Sequence, residues 1–145
     1  MNKVKIRKAV GAIVFQNNEY WLVYKVKSID ARTNIPGHWD FPKGGVNETD
    51  KDLEEAVLRE LKEETGSDKY RIIQKYNNKI NFIFPKGHKY DKQETDMFLV
   101  EYLGDRTDLK PQDKEINAVR FYSKDELVNI LHLAETCKFL DKIIW

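Results

Sequence analysis

The most constraining stretch of the chain is residues 52–66, "DLEEAVLRELKEETG", which reads as a helix with both ends marked. Asp52 suits an N-cap, Glu55 three residues later completes a capping-box pattern, and Gly66 suits the left-handed position just past the last turn. These signals bound a helix at 53–65. At 100° per residue from Leu53, Val57 falls at about 40°, Leu61 at about 80° and Leu58 at about 140°, which gives one apolar stripe to bury. Glu60 falls at about 340°, Glu64 at about 20° and Glu63 at about 280°. Two of the three acids therefore border the stripe. They also crowd the helix C-terminus, where the macrodipole disfavours negative charge, and each like-charge pair costs a further ~0.2–0.5 kcal/mol. A hard divalent cation with oxygen ligands would compensate. Pairing with Arg59, Lys62 and other bases is the alternative reading of such a helix.

Around this helix the pattern is mostly β. "AVGAIVFQNNEYWLVYKV" (9–26) holds two β-rich runs about the turn residues "QNNE", the pattern of an antiparallel hairpin. Residues 28–50 carry two prolines, three glycines and several turn formers, and predict a long loop pinned by a short strand at "HWDF". Strand-like runs follow on either side of Asn77-Asn78 within 70–84, then at 94–103 and 116–122. Ser123 with Glu126 is a second capping box, and a last helix is expected over 135–144. The order predicts an α+β domain spanning residues 1–145, a mixed, partly antiparallel sheet with helices packed on it.

Composition narrows the function. With 25 Lys+Arg against 24 Asp+Glu the formal net charge is +1, so no global field draws the chain to nucleic acid or an anionic membrane, and an anionic substrate must be met locally. The single Cys137 cannot form an internal disulfide, "MNKVKIRKAV" is too charged for a signal-peptide core, and no apolar run reaches the length of a membrane span. A cytoplasmic protein without membrane partners is expected. His38 and His88 lack the spaced Cys or His companions of a zinc site.

From Gly45 the residues "GVNETDKDLEEAVLRELKEETGS" resemble the Nudix box, Gly-x5-Glu-x7-Arg-Glu-apolar-x-Glu-Glu-x-Gly-apolar. Gly45, Arg59, Glu60, Leu61, Glu63, Glu64 and Gly66 fit without a gap, and "VGAIVF" and "HWDFPKGG" are similar to the flanking segments of Nudix hydrolases. Two positions depart: Lys51 stands where the pattern has its first Glu, and Ser67 where it ends in an apolar residue. For Lys51, Glu48 could substitute, the lysine could contact a substrate phosphate, the site could be weakened, or Lys51 could simply pair with Glu55.

The resemblance implies an α/β/α sandwich and water attack on a phosphorus of a nucleoside polyphosphate with Mg2+, or Mn2+ in its place. It implies that Glu60 and Glu64 ligate metal, Glu63 ligates or activates water, Arg59 orients Glu60, and the carbonyl near Gly44 joins the metal shell. Lys43 is expected to meet a phosphate, and Glu115 fits the acid that many members carry outside the box. The overall look is closest to dinucleoside polyphosphate hydrolases and RNA 5′-pyrophosphohydrolases, so RNA 5′ ends are candidate partners. Lys86, Lys89, Tyr90, Lys92 and Gln93 form a basic, aromatic segment on which a base could stack, with Tyr90 the expected stacking residue and Tyr76 and Phe82 expected in the core or on the sheet surface. A housekeeping hydrolase of damaged nucleotides or nucleotide sugars, and a non-catalytic nucleotide-binding module, are the competing functions.

Overall fold

The computed structural model describes residues 3–26, 37–111, 116–131 and 133–143. Its centre is β1 (Ile6–Gln16), whose middle "AVGAIV" is a nearly continuous apolar run. Such a run suits a strand covered on both faces, as strands in parallel pairing are. β1 pairs in parallel with β6 (Lys92–Tyr102) from Ile6↔Lys92 to Phe15↔Glu101. Along its other pairings it meets β2 (Glu19–Lys25) through a tight hairpin at Asn17-Asn18, and β4 (Lys43–Gly45) at Ala9–Gly11. Asn17 takes a left-handed φ of 57°, which asparagine tolerates better than most residues. β2 continues the sheet to β3 (His38–Asp40) and β7 (Ile116–Ser123), and β5 (Tyr70–Ile83) closes the far edge against β6.

Alternation along β1 sorts the core. Val10, Ala12 and Val14 join Trp21, Phe98, Val100 and Tyr102 under α1 (Leu53–Thr65), which buries Ala56, Val57 and Leu61. Ile13 faces the other way, with Leu22, Phe41, Tyr76, Ile80 and Met97, beneath α2 (Lys124–Ile130) and α3 (Ala134–Lys142). Helices thus cover both faces of one mixed sheet, the α+β sandwich expected. Burying Val57 and Leu61 contributes about 1.5–3 kcal/mol each and docks α1 by its apolar stripe. Leu58, at the stripe's edge, stays 37% exposed.

The helix boundaries match the sequence signals. The Asp52 carboxylate accepts from the Glu55 N–H, and Gly66 sits at φ 87°. Glu55 reaches back to the N–H of Lys51 rather than that of Asp52, so the capping box is displaced by one residue. Ser123 and Glu126 form the full reciprocal box of α2. Two expectations are corrected. The break at Asn77-Asn78 is an irregularity inside a single 14-residue strand, where pairing with β6 slips between Lys75 and Lys79. The loop after "HWDF" contains an additional strand, β4, too short for periodicity to reveal.

Candidate active site

The three acids of α1 lie beside β4 because α1 packs across the β1–β4 pair. Glu60 and Glu64 are buried, at 8% and 4% exposure, while the Glu63 side chain is half exposed. That is the arrangement the helical angles predict, since Glu60 and Glu64 border the buried stripe and Glu63 lies outside it. Gly44 makes the approach possible: a Cβ there would fall 2.0 Å from the Glu60 carboxylate.

Arg59 organises the acids. Its Nη1 donates to Glu60 at 3.0 Å and to both Glu63 oxygens at 3.2 Å, and its Nη2 donates to the Gly45 carbonyl at 2.9 Å. The rest of the guanidinium grips Asp50 in a bidentate pair, Nε to Oδ1 at 2.9 Å and Nη2 to Oδ2 at 3.0 Å. Hydrogen bonding, first to Asp50 and then to Glu60, outweighs burial and holds the guanidinium pKa above its ordinary value. The same bonds, led by that from Arg59, hold the Asp50 carboxyl below the usual carboxylate range.

Asp50 is the residue that sequence reasoning missed. It supplies an acidic partner to Arg59 one position before Lys51, and the signal was in plain view as an Asp adjoining the anomalous Lys. Its Oδ2 also accepts from the Asn47 N–H, which ties the loop ahead of α1. Lys51 itself is exposed and lies outside the cleft, with its backbone N–H directed at Glu55.

A cleft of about 680 Å³ opens over these acids, a volume suited to a small ligand. Glu60, Glu63, Glu64, Lys43 and Gly44 all line it. Lys43 is more constrained than expected: its ammonium pairs with Asp40 at 2.9 Å, both side chains being nearly buried, and donates to the Thr136 hydroxyl of α3 at 3.3 Å. Burial works against the Asp40 carboxylate, but Lys43 and Lys25 together hold its pKa below the ordinary value. Phe82 and Phe84 form an aromatic wall of the cleft; Phe82 stands on the sheet surface of β5 and Tyr76 in the core, the two placements expected for these residues. Lys89 and Tyr90 lie beyond the cleft on the β5–β6 hairpin. Glu115 lies outside the described residues.

The donor set suits a hard divalent cation: carboxylates project from one helix face beside a glycine strand that leaves them room. Among the described residues, no three acids or histidines converge on one point, because Glu60 and Glu63 both lean on Arg59. No described helix is long and apolar enough to cross a membrane.

Residues 5–143 match the NUDIX domain. A protein of a Nitratiruptor species named RNA pyrophosphohydrolase is 36% identical over 134 residues, which cover 88% of this chain and 84% of that protein. Among solved structures, a MutT protein from Methanosarcina mazei Go1 superposes with a TM-score of 0.73 at 25% identity, covering 98% of this chain and 95% of the other. A C. elegans Ap4A hydrolase binary complex gives 0.68 at 20% identity, covering 94% and 93%, and shares the fold.

Proposed function

This chain belongs to the Nudix family of hydrolases, and from that premise we propose that it cleaves the pyrophosphate linkage at the polyphosphorylated 5′ end of RNA. The observation that carries the proposal is the cleft itself, which is lined by two buried glutamates and a half-exposed third, held from behind by Arg59, and also by the aromatic side chains of Phe82 and Phe84. Such a cleft can take a run of phosphates at its glutamates through a metal and a nucleobase against its aromatic wall. The relative named RNA pyrophosphohydrolase favours an RNA end over a dinucleoside polyphosphate.

In this reading Glu60 and Glu64, with the carbonyl near Gly44, would hold Mg2+, or Mn2+ in its place. The bound ion neutralises phosphate oxygens and lowers the pKa of water in the site. Arg59, anchored by Asp50, fixes the carboxylates of Glu60 and Glu63. Glu63, the most exposed acid of the three, takes a proton from the attacking water in this reading. The water oxygen bonds to phosphorus as the bridging P–O bond breaks, and the departing phosphate leaves by the open side of the cleft. Lys43, steadied by Asp40 and Thr136, offers a fixed positive charge to the phosphates, and Glu115 is the further metal ligand from outside the box.

The test is a side-by-side assay in Mg2+ of 5′-triphosphorylated RNA and diadenosine tetraphosphate, with products resolved and Glu64→Gln as control. Preferential release of phosphate or pyrophosphate from RNA is expected, with turnover lowered about 10²-fold or more in Glu64→Gln while the variant still folds. A fully active Glu64→Gln refutes the metal site, and preference for the dinucleotide refutes the substrate.

A further inference from the structure

Resting on the RNA reading above, we propose that the β5–β6 hairpin tip, residues 84–90, is a docking surface for the RNA chain that follows the 5′ nucleotide. The sheet register leads to it. Arg7 on β1 pairs with Gln93 on β6, and Gln93 pairs with Phe82 on β5, so the three form one row across adjacent strands, and all three line the cleft. At about 4.8 Å per strand the row spans about 10 Å, carrying the cleft floor from the glutamates toward the hairpin. Arg7 donates to Gln93 within this row.

Beyond Phe82 the aromatic side chains continue outward as a ladder. Phe82 meets Phe84 edge-on at 5.1 Å, Phe84 stacks flat on His88 with centroids 4.0 Å apart and planes 2° off parallel, and Tyr90 follows at 6.3 Å from His88. None of these rings belongs to either hydrophobic core. Lys86 and Lys89 are exposed beside them, Lys89 with its ammonium 5.5 Å from the Tyr90 ring centre, and Ile83 leaves 71% of its surface to solvent. The hairpin is held in shape by backbone bonds, Phe84 to Asp91 and His88 to Pro85, so the ladder is an ordered feature of the edge.

Stacking faces interleaved with lysines are what a single strand needs: bases have π-faces whatever their identity, and its phosphates find cations alongside. A ligand confined to the cleft meets only Phe82 and Phe84 and leaves the outer rungs, His88 and Tyr90, beyond its reach.

The experiment compares 5′-triphosphorylated RNAs of two and eight nucleotides on the wild type and on the triple variant Lys86→Ala/Lys89→Ala/Tyr90→Ala, with His88→Ala as a second variant. The octamer should be favoured in kcat/KM by about fivefold or more through KM, and the ratio should collapse toward one in the triple variant. The salt dependence of octamer binding should fall by about 1.4 in log–log slope, the share of two phosphate contacts on a single strand. Fluorescence anisotropy with a 5′-hydroxyl octamer, which carries no pyrophosphate, reads the surface apart from catalysis. Tip-dependent binding of that octamer without turnover of triphosphorylated RNA would sustain the docking surface and overturn the substrate reading. Turnover without length dependence, or equal octamer binding by wild type and variants, overturns the docking surface.

Discussion

Replacing Gly44 by alanine separates the site from the fold. The added methyl would fall 2.0 Å from the Glu60 carboxylate, whereas ordinary contact begins at 3.4 Å, so the carboxylate must retreat by about 1.4 Å. It can move, because the three atoms nearest the new methyl all belong to the end of one flexible side chain. Gly44 does not require a left-handed φ, and alanine there restricts the unfolded chain, which favours the folded state by ~0.4–1 kcal/mol. That gain offsets part of the loss of the bond from Arg59 to the buried carboxylate, about 1.5–3 kcal/mol for a charged group, so stability should fall by no more than about 3 kcal/mol. The displaced carboxylate loses its 3.0 Å bond from Arg59 and its place over β4. A misplacement on the order of 1 Å can lower turnover by about 10²-fold, and the apparent Mg2+ requirement should rise with it. Steady-state hydrolysis across a Mg2+ titration, beside a thermal melt, checks both halves. Unaltered turnover, or a loss of more than about 3 kcal/mol in stability, would refute the reasoning.

Three further outcomes are expected. Lys43→Met leaves the buried Asp40 carboxylate without its 2.9 Å partner and should destabilise the protein by about 3–5 kcal/mol in urea titrations, whereas Asp40→Asn/Lys43→Met should recover much of that loss. Lys51→Glu should alter turnover by less than about threefold, since Asp50 already engages Arg59 and Lys51 is exposed; a tenfold gain would show that Asp50 does not substitute for the missing acid. The Tyr102 phenol is pushed up to about 12, by burial first and then by its hydrogen bond to Asp108. A raised phenol contributes stability fully below its ordinary pKa of 10.0 and loses it as pH climbs toward 12, so Tyr102→Phe should lose less stability across that interval than the wild type.

The departure at Ser67 has a structural explanation at the opposite end of α1. The Ser67 hydroxyl donates to Asp108, which also accepts from the Tyr102 hydroxyl, and the Lys110 N–H donates to the Thr65 carbonyl. The two hydroxyl bonds, the Ser67 one first, hold the Asp108 carboxyl below its usual range. The box thus ends in a polar latch to the 104–110 loop instead of an apolar contact, and the helix that carries the acids is anchored at both termini.

Local rules sufficed wherever neighbours in sequence decide the outcome. Asp52 and Gly66 bound α1, helical angles set Glu60 and Glu64 inward and Glu63 outward, and the continuous apolar run of β1 marked a strand of the core sheet. Tertiary structure decided what depends on residues meeting across the fold. Asp50 rather than Glu48 became the acid that meets Arg59, because the loop ahead of α1, tied by the Asp50 carboxylate to the Asn47 N–H, brings that carboxylate to the guanidinium nine residues on. Lys43 was drawn into a buried pair because β3 and α3 close over it with Asp40 and Thr136. Phe82 reached the cleft through its pairing with Gln93, in a strand whose register against β6 slips twice, and no one-dimensional pattern encodes a slip set by the strand alongside.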